Sequence, residues 1–337
     1  MRTCIGLDVG RSSTKVIAVQ GSKKCELLIP SAVCPAIVIH LESEAAHARS
    51  ETITVNQRTF FFGNSALLQG QGDLTAIFHD EFVFTDEHNA LFLGALAKVN
   101  EAGVPGVEFA LIIVGLPAAL FAIQRSKLAQ QLSILHPRAV IRVVPQPLGR
   151  YQQMLFAPDG SEVTTKNPGT ENWAVIEVGQ HTTDYALLLN GRAIENASGS
   201  CNGMRLVAQN LQREIHKSKI SISMAEATES LRTGIIKKFK QMINVSAEIE
   251  RLVKPLANQI TDKAAQLIGK NARQLDGVLL AGGGAPLILP YVLRVWPHAQ
   301  MANNPRFAVA DGFCRFAQAV ELISIRQKHS ISLSFAK

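Results

Sequence analysis

The sequence predicts an α/β fold that is built twice, with mixed sheets flanked by helices in each of two lobes. Two stretches carry this prediction, residues 5–19 (IGLDVGRSSTKVIAV) and residues 173–189 (WAVIEVGQHTTDYALLL). Each contains an apolar run, a carboxylate, a polar turn that begins near a glycine, and a second apolar run, which is the pattern of two strands joined by a tight turn. A third stretch, residues 277–289 (GVLLAGGGAPLIL), runs from a buried strand through three glycines into an apolar helix. A repeat of this kind predicts two related lobes that grip one ligand in the cleft between them.

The two turns have the same spacing of chemically useful residues. Asp8 precedes Gly10, and Glu177 precedes Gly179, by two positions in each case. Successive N–H groups in such a turn form a concavity for an anion, and glycine lets a phosphate approach closely. A carboxylate at the end of the first strand is then placed to hold a hydrated Mg²⁺ on that phosphate. The candidate metal carboxylates are therefore Asp8 and Glu177, and the candidate phosphate-binding residues are Gly10, Arg11, Ser12, Ser13, Thr14, Lys15, Gly179, Gln180, His181, Thr182 and Thr183.

The three glycines of the third stretch, Gly282, Gly283 and Gly284, are predicted to lie against a nucleotide. Pro286 follows them near the start of the helix, where proline is tolerated because a first-turn N–H has no helical partner. The sequence contains neither GxxxxGK(S/T) nor GxGxxG, so the two commonest nucleotide-binding motifs are not supported.

The composition narrows the class of protein. With 337 residues, of which 47% are hydrophobic, the chain is long enough for two domains with sizeable cores. The net charge of +7 is spread over scattered basic residues, so direct nucleic-acid binding is a minor hypothesis. Five cysteines without CxxC spacing favour a reducing compartment over a disulfide framework. Because no apolar run approaches the ~20 residues of a membrane span and Met1 leads almost directly into a strand, we expect a cytoplasmic protein without membrane contact.

The first half of the chain reads as strands and helices around a small insertion. Residues from about 25 to 85 are predicted to form an inserted outer subdomain, with a polar loop at 43–50, a hairpin at 52–62 and an irregular stretch at 70–84. A helix is expected at 88–100, a buried strand at 109–114, a helix to about 135, a strand at 139–144 and a helix to about 156.

The second half repeats this plan after a polar loop at 158–170. Helices are predicted at 204–217, at 224–241, from 246 onward with Pro255 as a kink or true start, and at 307–326. The domain boundaries follow: residues 1–157 with about 307–337 form the first domain, and residues 171–306 form the second, whose outer helical part is about 204–270.

The motifs together resemble those of the actin, sugar-kinase and heat-shock-chaperone ATPase superfamily, which has a ribonuclease H-like fold. Within it, nearly the whole chain resembles the ParM/StbA-type plasmid-segregation actin-like ATPases. The motifs that carry the resemblance are DVGRSSTK, the Gly-Val-Pro turn before FALIIVGLP, VVPQPLG, VGQHTTD, residues 198–203 leading into RLVAQNL, AGGGAPLI, and Asn303-Asn304-Pro305 with Asp311-Gly312.

The resemblance implies a bacterial ATPase of the cytoplasm that binds ATP and Mg²⁺ and polymerises to move plasmid copies apart. Its implied partners are further copies of itself and a small DNA-binding adaptor on a centromere-like site, so contact with nucleic acid is indirect. It also implies that Gln146, in Pro-Gln-Pro after a buried strand, orients the attacking water with Asp8 and Glu177 nearby. Two departures are notable, because the family usually has Asp in place of Glu177 and often has Glu in place of Gln146.

Alternative functions remain open at this stage. A non-polymerising accessory ATPase of a plasmid or integrated element is the main alternative, because polymer contacts lie on surfaces without a motif. A small-molecule kinase of the same superfamily is less favoured, since no catalytic Asp stands between the two turns; Asp159 lies in the polar linker.

Overall fold

The computed structural model describes residues 1–70 and 80–334, with side chains as far as residue 327. The chain forms two compact units. Unit 1 contains Met1–Leu116, Leu120–Lys166 and the chain from Phe307 onward, and unit 2 contains Pro117–Ala119 and Asn167–Arg306. The predicted architecture of mixed sheets flanked by helices is present in both units.

Unit 1 begins with three antiparallel strands, β1 (Cys4–Val9), β2 (Ser13–Gln20) and β3 (Lys23–Pro30). The outer subdomain was expected to begin near residue 25, but β3 pairs with β2 along eight residues and so belongs to the main sheet. Its alternation of exposed and partly buried residues is that of a half-covered edge strand, which Pro30 at its end and Pro35 in the next strand obscure in the sequence.

The outer part of unit 1 contains β4 (Val33–Pro35), α1 (Glu42–Arg49), β5 (Thr52–Val55), β6 (Arg58–Phe62) and α2 (Gly63–Gln69), with a sheet order of β4-β6-β5. The predicted hairpin is confirmed, and positive φ at Asn56 and Gln57 makes its two-residue turn. The expected loop at 43–50 is instead helix α1, which buries only Ala48 and therefore shows no apolar stripe. Of the stretch predicted to be irregular, residues 71–79 lie outside the described residues and Asp80–Phe84 form a 3₁₀ turn.

The remainder of this sheet comes from alternating helices and strands. They are α3 (Asp86–Glu101), a 3₁₀ turn (Val107–Phe109), β7 (Leu111–Leu116), α4 (Ala118–Leu135), β8 (Val140–Pro145) and α5 (Gln146–Leu155). The sheet order is β3-β2-β1-β7-β8, with β7 and β8 parallel to β1. Because parallel strands end at the same edge, the ends of β1 and β8 bring Asp8 and Gln146 close together.

Unit 2 repeats the same sheet with a larger helical outer part. Its elements are β9 (Trp173–Val178), β10 (Thr182–Leu189), β11 (Arg192–Ala193), β12 (Gly199–Asn202), α6 (Arg205–Lys217), α7 (Met224–Thr233), β13 (Ile235–Lys238), β14 (Gln241–Asn244), α8 (Ser246–Ile268), β15 (Gly277–Ala281), α9 (Ala285–Val295) and β16 (Ala299–Met301), with 3₁₀ turns at Glu195–Ala197 and Gly269–Gln274. The sheet order is β11-β10-β9-β15-β16, and β12 also pairs with β10.

Two helix predictions in unit 2 need correction. The helix expected over 224–241 ends at Thr233, because Gly234 adopts a left-handed φ of 72° that closes a helix end, and the remainder forms the β13–β14 hairpin. The helix around Pro255 is not interrupted there: α8 runs continuously over 23 residues, and its buried apolar face compensates for the hydrogen bond that proline removes.

Helix α10 (Ala308–Ser334) returns the chain to unit 1 and covers one face of its sheet. Gly6 permits this contact, because a Cβ there would lie 2.0 Å from the Ala310 carbonyl oxygen. Gly312 likewise meets the backbone of Gly149 on α5. Among the described helices, none combines the length and apolar character needed to cross a bilayer.

Candidate functional site

The two predicted turns have the same strand register. Val9 pairs with Thr14 across the first hairpin, and Val178 pairs with Thr183 across the second, so each turn has four residues, 10–13 and 179–182. The carboxylate before each turn is also in a cross-strand pair. Asp8 lies opposite Lys15, and Glu177 lies opposite Asp184. The duplication seen in the spacing is therefore also a duplication of hydrogen-bonded geometry.

In the first hairpin, both oxygens of the buried Asp8 carboxylate have donors. Lys15 Nζ lies 3.0 Å from Oδ2, and Gln146 Nε2 donates to Oδ1 at 2.7 Å. Gly115 makes room for Gln146, because a Cβ there would lie 2.8 Å from its Cγ. Since the amide nitrogen is held by Asp8, the Gln146 carbonyl oxygen is the group left to accept a hydrogen bond.

The carbonyl oxygens of the first turn are held by one serine. The Ser31 N–H donates to Ser12 O at 3.1 Å, and its hydroxyl donates to Gly10 O at 2.5 Å. The Thr14 hydroxyl lies 3.0 Å from Ser31 Oγ. These contacts tie the turn to the chain that leaves β3.

The carbonyl oxygens of the second turn are held by the start of α6. The N–H groups of Gly203, Met204 and Arg205 donate to the carbonyls of residues 181, 179 and 180 respectively. Gly203 has no room for a side chain, because a Cβ would lie 2.7 Å from Gly179 O. With its carbonyls directed to α6, the turn can direct N–H groups to the opposite side.

The second hairpin places two carboxylates opposite each other, an arrangement that destabilises a sheet unless the charges are compensated. Asp184 is fully buried and accepts hydrogen bonds from Ser200 Oγ (2.6 Å), Thr182 Oγ1 (2.7 Å) and the Ala118 N–H (2.9 Å). Glu177 is 8% exposed, and its Oε1 lies 2.7 Å from where a Cβ on Gly282 would be. The second hairpin therefore places the Glu177 carboxylate beside Gly282, near the end of β9.

The three glycines have different surroundings. Gly282 has φ of 90°, and a Cβ there would meet Val178 O at 2.2 Å; one on Gly284 would meet Met204 Cγ at 2.4 Å. Both glycines thus pack against the second hairpin and α6. At Gly283, in contrast, the nearest atom is Arg306 Cγ at 4.0 Å. Gly283 is therefore the position of the three at which a ligand can approach the backbone.

The predicted residues are not all equally available to a ligand. The hydroxyls of the buried Thr14 and Thr183 bond within the protein, to Ser31 Oγ and Asn202 O, so any ligand contact from these residues would come from the backbone. Arg11 lies 3.5 Å from Asp80. The described residues include no group of three or more His, Cys, Asp or Glu side chains that could bind a metal alone.

Three residues of the candidate site were missed by the sequence analysis: Ser31, Arg306, which lies beside Gly283, and Thr228, whose hydroxyl accepts from Gln180 Nε2 at 2.9 Å. Arg306 is half-buried, and this burial lowers the pKa of its guanidinium, while Glu229 opposes the shift. Each of the three is distant in sequence from the site residue that it lies beside, and none belongs to a recognisable motif.

Two family models match the chain, one for each half. The model described as "Actin like proteins N terminal domain" matches residues 6–149, and the model described as "Archaeal actin homologue MreB-like, C-terminal" matches residues 175–292. No curated protein sequence matches the chain significantly.

Solved structures of actin-like proteins share the fold. A 15-stranded ParM filament from Clostridium botulinum has a TM-score of 0.74 at 18% identity and covers 94% of this chain and 99% of its own. An archaeal actin homologue in complex with ADP has a TM-score of 0.69 at 20% identity, covering 93% and 98%. A MamK double helical filament has a TM-score of 0.68 at 17% identity, covering 94% and 99%. The resemblance seen in the sequence is thus confirmed: each half of the chain matches a model of actin-like proteins, and the chain as a whole has the actin-like fold.

Proposed function

We propose that this protein binds and hydrolyses Mg²⁺–ATP and that ATP controls its assembly into filaments that segregate plasmid DNA. The observation that supports nucleotide binding best is the pair of turns with identical register, each preceded by a carboxylate. Each turn binds phosphate groups through backbone N–H groups, and Gly283 admits the nucleoside part.

The residues present fit a Mg²⁺ ion. Glu177 lies opposite Asp184 across the second hairpin, so a cation bound beside them would relieve the repulsion between the two carboxylates. Both carboxylate oxygens of Asp8 already accept hydrogen bonds, from Lys15 and Gln146. Asp8 would therefore contact the ion through a water molecule. When bound, Mg²⁺ neutralises charge on the phosphoryl oxygens during transfer.

Hydrolysis requires an oriented water more than a strong base. Gln146 supplies this orientation. Its Nε2 is held by Asp8 at 2.7 Å, so its carbonyl oxygen accepts the hydrogen bond of the attacking water. Lys15, which is 3.0 Å from Asp8, turns to the phosphate once the nucleotide arrives.

Filament formation and plasmid segregation are proposed by analogy with the ParM and MamK filaments and with the family motifs in the sequence. A head-to-tail contact whose rotation does not close produces an open filament. The outer part of unit 1 and the helices over 204–270 are the surfaces proposed to meet in the polymer, and a small DNA-binding adaptor links the filament to plasmid DNA.

Nucleotide binding is tested by titrating the protein with a fluorescent ATP analogue in the presence and absence of Mg²⁺. The variant Glu177→Gln removes one charge with little change in size, so we expect weaker Mg²⁺ dependence and slower phosphate release, with a melting temperature no lower than that of wild type because the repulsion with Asp184 is relieved. Unaltered affinity and turnover in both Glu177→Gln and Asp8→Asn would contradict the proposed site.

Assembly is tested by light scattering and pelleting with ATP, ADP and a slowly hydrolysed analogue, over a range of protein and salt concentrations. We expect sedimentable polymer with ATP and the analogue and its loss as ATP is consumed. ATP hydrolysis without polymer under any condition would favour a non-polymerising accessory ATPase, and adding candidate adaptors with plasmid DNA then tests segregation directly.

A further inference from the structure

We infer that Ser31 is the positioning residue of the first turn, and that its hydroxyl does for that turn what a helix start does for the second. Ser31 is buried, at 7% exposure, and directly follows β3. Its hydrogen bonds are to the carbonyls of Gly10 and Ser12 and to the Thr14 hydroxyl. Its role would be to hold the backbone of residues 10–13 in the shape that binds phosphate.

The register shows that Ser31 and Gly203 occupy equivalent positions. In the first half, Ser13 on β2 pairs with Pro30, and in the second, Thr182 on β10 pairs with Asn202. The residue that follows in each case donates its N–H to the third residue of the turn, Ser31 to Ser12 O at 3.1 Å and Gly203 to His181 O at 2.9 Å.

The two halves differ in how they hold the first carbonyl of the turn. In the second half, Gly203 is followed by Met204, the N-cap of α6, whose N–H donates to Gly179 O at 3.0 Å. In the first half no helix begins there, and the bond to the equivalent Gly10 O comes from Ser31 Oγ at 2.5 Å. A side-chain hydroxyl thus replaces a backbone amide.

Thr14 fixes the direction of this hydroxyl. A serine hydroxyl has one hydrogen to donate, and Ser31 donates it to Gly10 O. The Thr14 hydroxyl, 3.0 Å away and fully buried, therefore donates to Ser31 Oγ. The resulting chain of bonds runs from Thr14 through Ser31 to Gly10. Because neighbouring hydrogen bonds polarise each other, this chain holds the Gly10 peptide in one orientation.

The variants Ser31→Ala and Ser31→Gly test this inference, which rests on the proposed nucleotide binding. Both remove the hydroxyl, and the second places at this position the residue found in the other half. The matched control is Thr3→Val. The Thr3 hydroxyl is also buried and donates to a backbone carbonyl at 2.5 Å (Pro105 O), but it lies just before β1, at the opposite end of that strand from Gly10.

Two measurements separate positioning from general stability. The first is hydrogen exchange of the amides of residues 10–13 without nucleotide, which we expect to be faster in both Ser31 variants than in Thr3→Val or wild type. The second is ATP affinity, which we expect to fall about tenfold in the Ser31 variants and to stay at the wild-type value in Thr3→Val. Ser31→Thr, which retains the hydroxyl, should restore both.

The outcomes are distinguishable. If wild type does not bind ATP, the proposed function fails, yet faster exchange at the turn in the Ser31 variants still supports the structural role. If wild type binds ATP and the Ser31 variants match Thr3→Val in both exchange and affinity, the inference is wrong and Ser31 is one buried hydroxyl among others.

Discussion

Gly203 offers the sharpest test of how the second turn is held. In Gly203→Ala the new Cβ would lie 2.7 Å from Gly179 O and from His181 C, and 2.8 Å from Gln180 C, which is 0.6–0.7 Å inside the 3.4 Å limit of ordinary contact. All three atoms are backbone of the turn, so no side chain can rotate to relieve the overlap. Overpacking of this kind costs about 1–3 kcal/mol.

The cost will appear in one of two measurements. If the turn keeps its shape, the free energy of unfolding in urea falls by about 1–3 kcal/mol. If the turn yields instead, the Kd for ATP rises, about tenfold for each 1.4 kcal/mol. Gly199→Ala, on the strand β12 that ends just before Gly203, is the control, because its Cβ would meet nothing closer than Leu267 Cδ1 at 3.6 Å. Equal unfolding free energies and equal Kd values in the two variants would refute the tight packing of α6 against the turn.

Three further predictions follow from the geometry. Gly283→Ala should have the melting temperature of wild type, since its Cβ would lie 4.0 Å from the nearest atom, but it should bind ATP more weakly. Gly284→Ala, in contrast, should have a lower melting temperature. Equal ATP affinity of Gly283→Ala and wild type would show that Gly283 is not part of the site. Gln146→Ala should still polymerise with ATP, release phosphate slowly and disassemble late in light scattering, and disassembly at the wild-type rate would make Gln146 a turn residue only. Burial lowers the pKa of His88 from 6.5 to about 3, so the stability contributed by its neutral form is fully present above pH 6.5 and is lost as the pH falls below that value. Relative to His88→Leu, wild type should lose up to about 1.4 kcal/mol of unfolding free energy per pH unit between pH 6 and 4. Parallel curves of unfolding free energy against pH for the two proteins would disprove this.

The central features of the fold could be predicted because they repeat. The hairpins around Gly10 and Gly179 show the same spacing of a carboxylate, a glycine and a threonine. One such spacing would be weak support for a phosphate-binding turn, but two equal spacings support each other. Strand β7 and helix α3 could likewise be predicted from short stretches of sequence, the first from a continuous apolar run and the second from apolar residues at helical spacing. Each of these elements is determined mainly by residues that are close together in the sequence. They can therefore be predicted without the structure.

The errors arose where contacts far along the chain decide the outcome. Strand β3 was assigned to the outer subdomain because Pro30 and Pro35 suggest edges or turns, whereas pairing with β2 keeps β3 in the main sheet. The polar helix α1 has too few buried residues to show a periodicity. Ser31 could not be recognised, since its partner Gly10 lies 21 positions earlier and a single serine carries no motif.

The path of the chain through unit 1 has a consequence for protein synthesis. One face of the unit 1 sheet, including Cys4, Ile17 and Ile113, is covered by Val309, Phe313 and neighbouring residues of α10. This helix leaves the ribosome at least 141 residues after Lys166, since the chain first passes through all of unit 2 to Arg306. At about 5–20 residues per second, that interval lasts roughly 7–28 s. The nascent chain thus exposes an apolar sheet face for many seconds, which makes it a natural client of chaperones that bind chains at the ribosome exit.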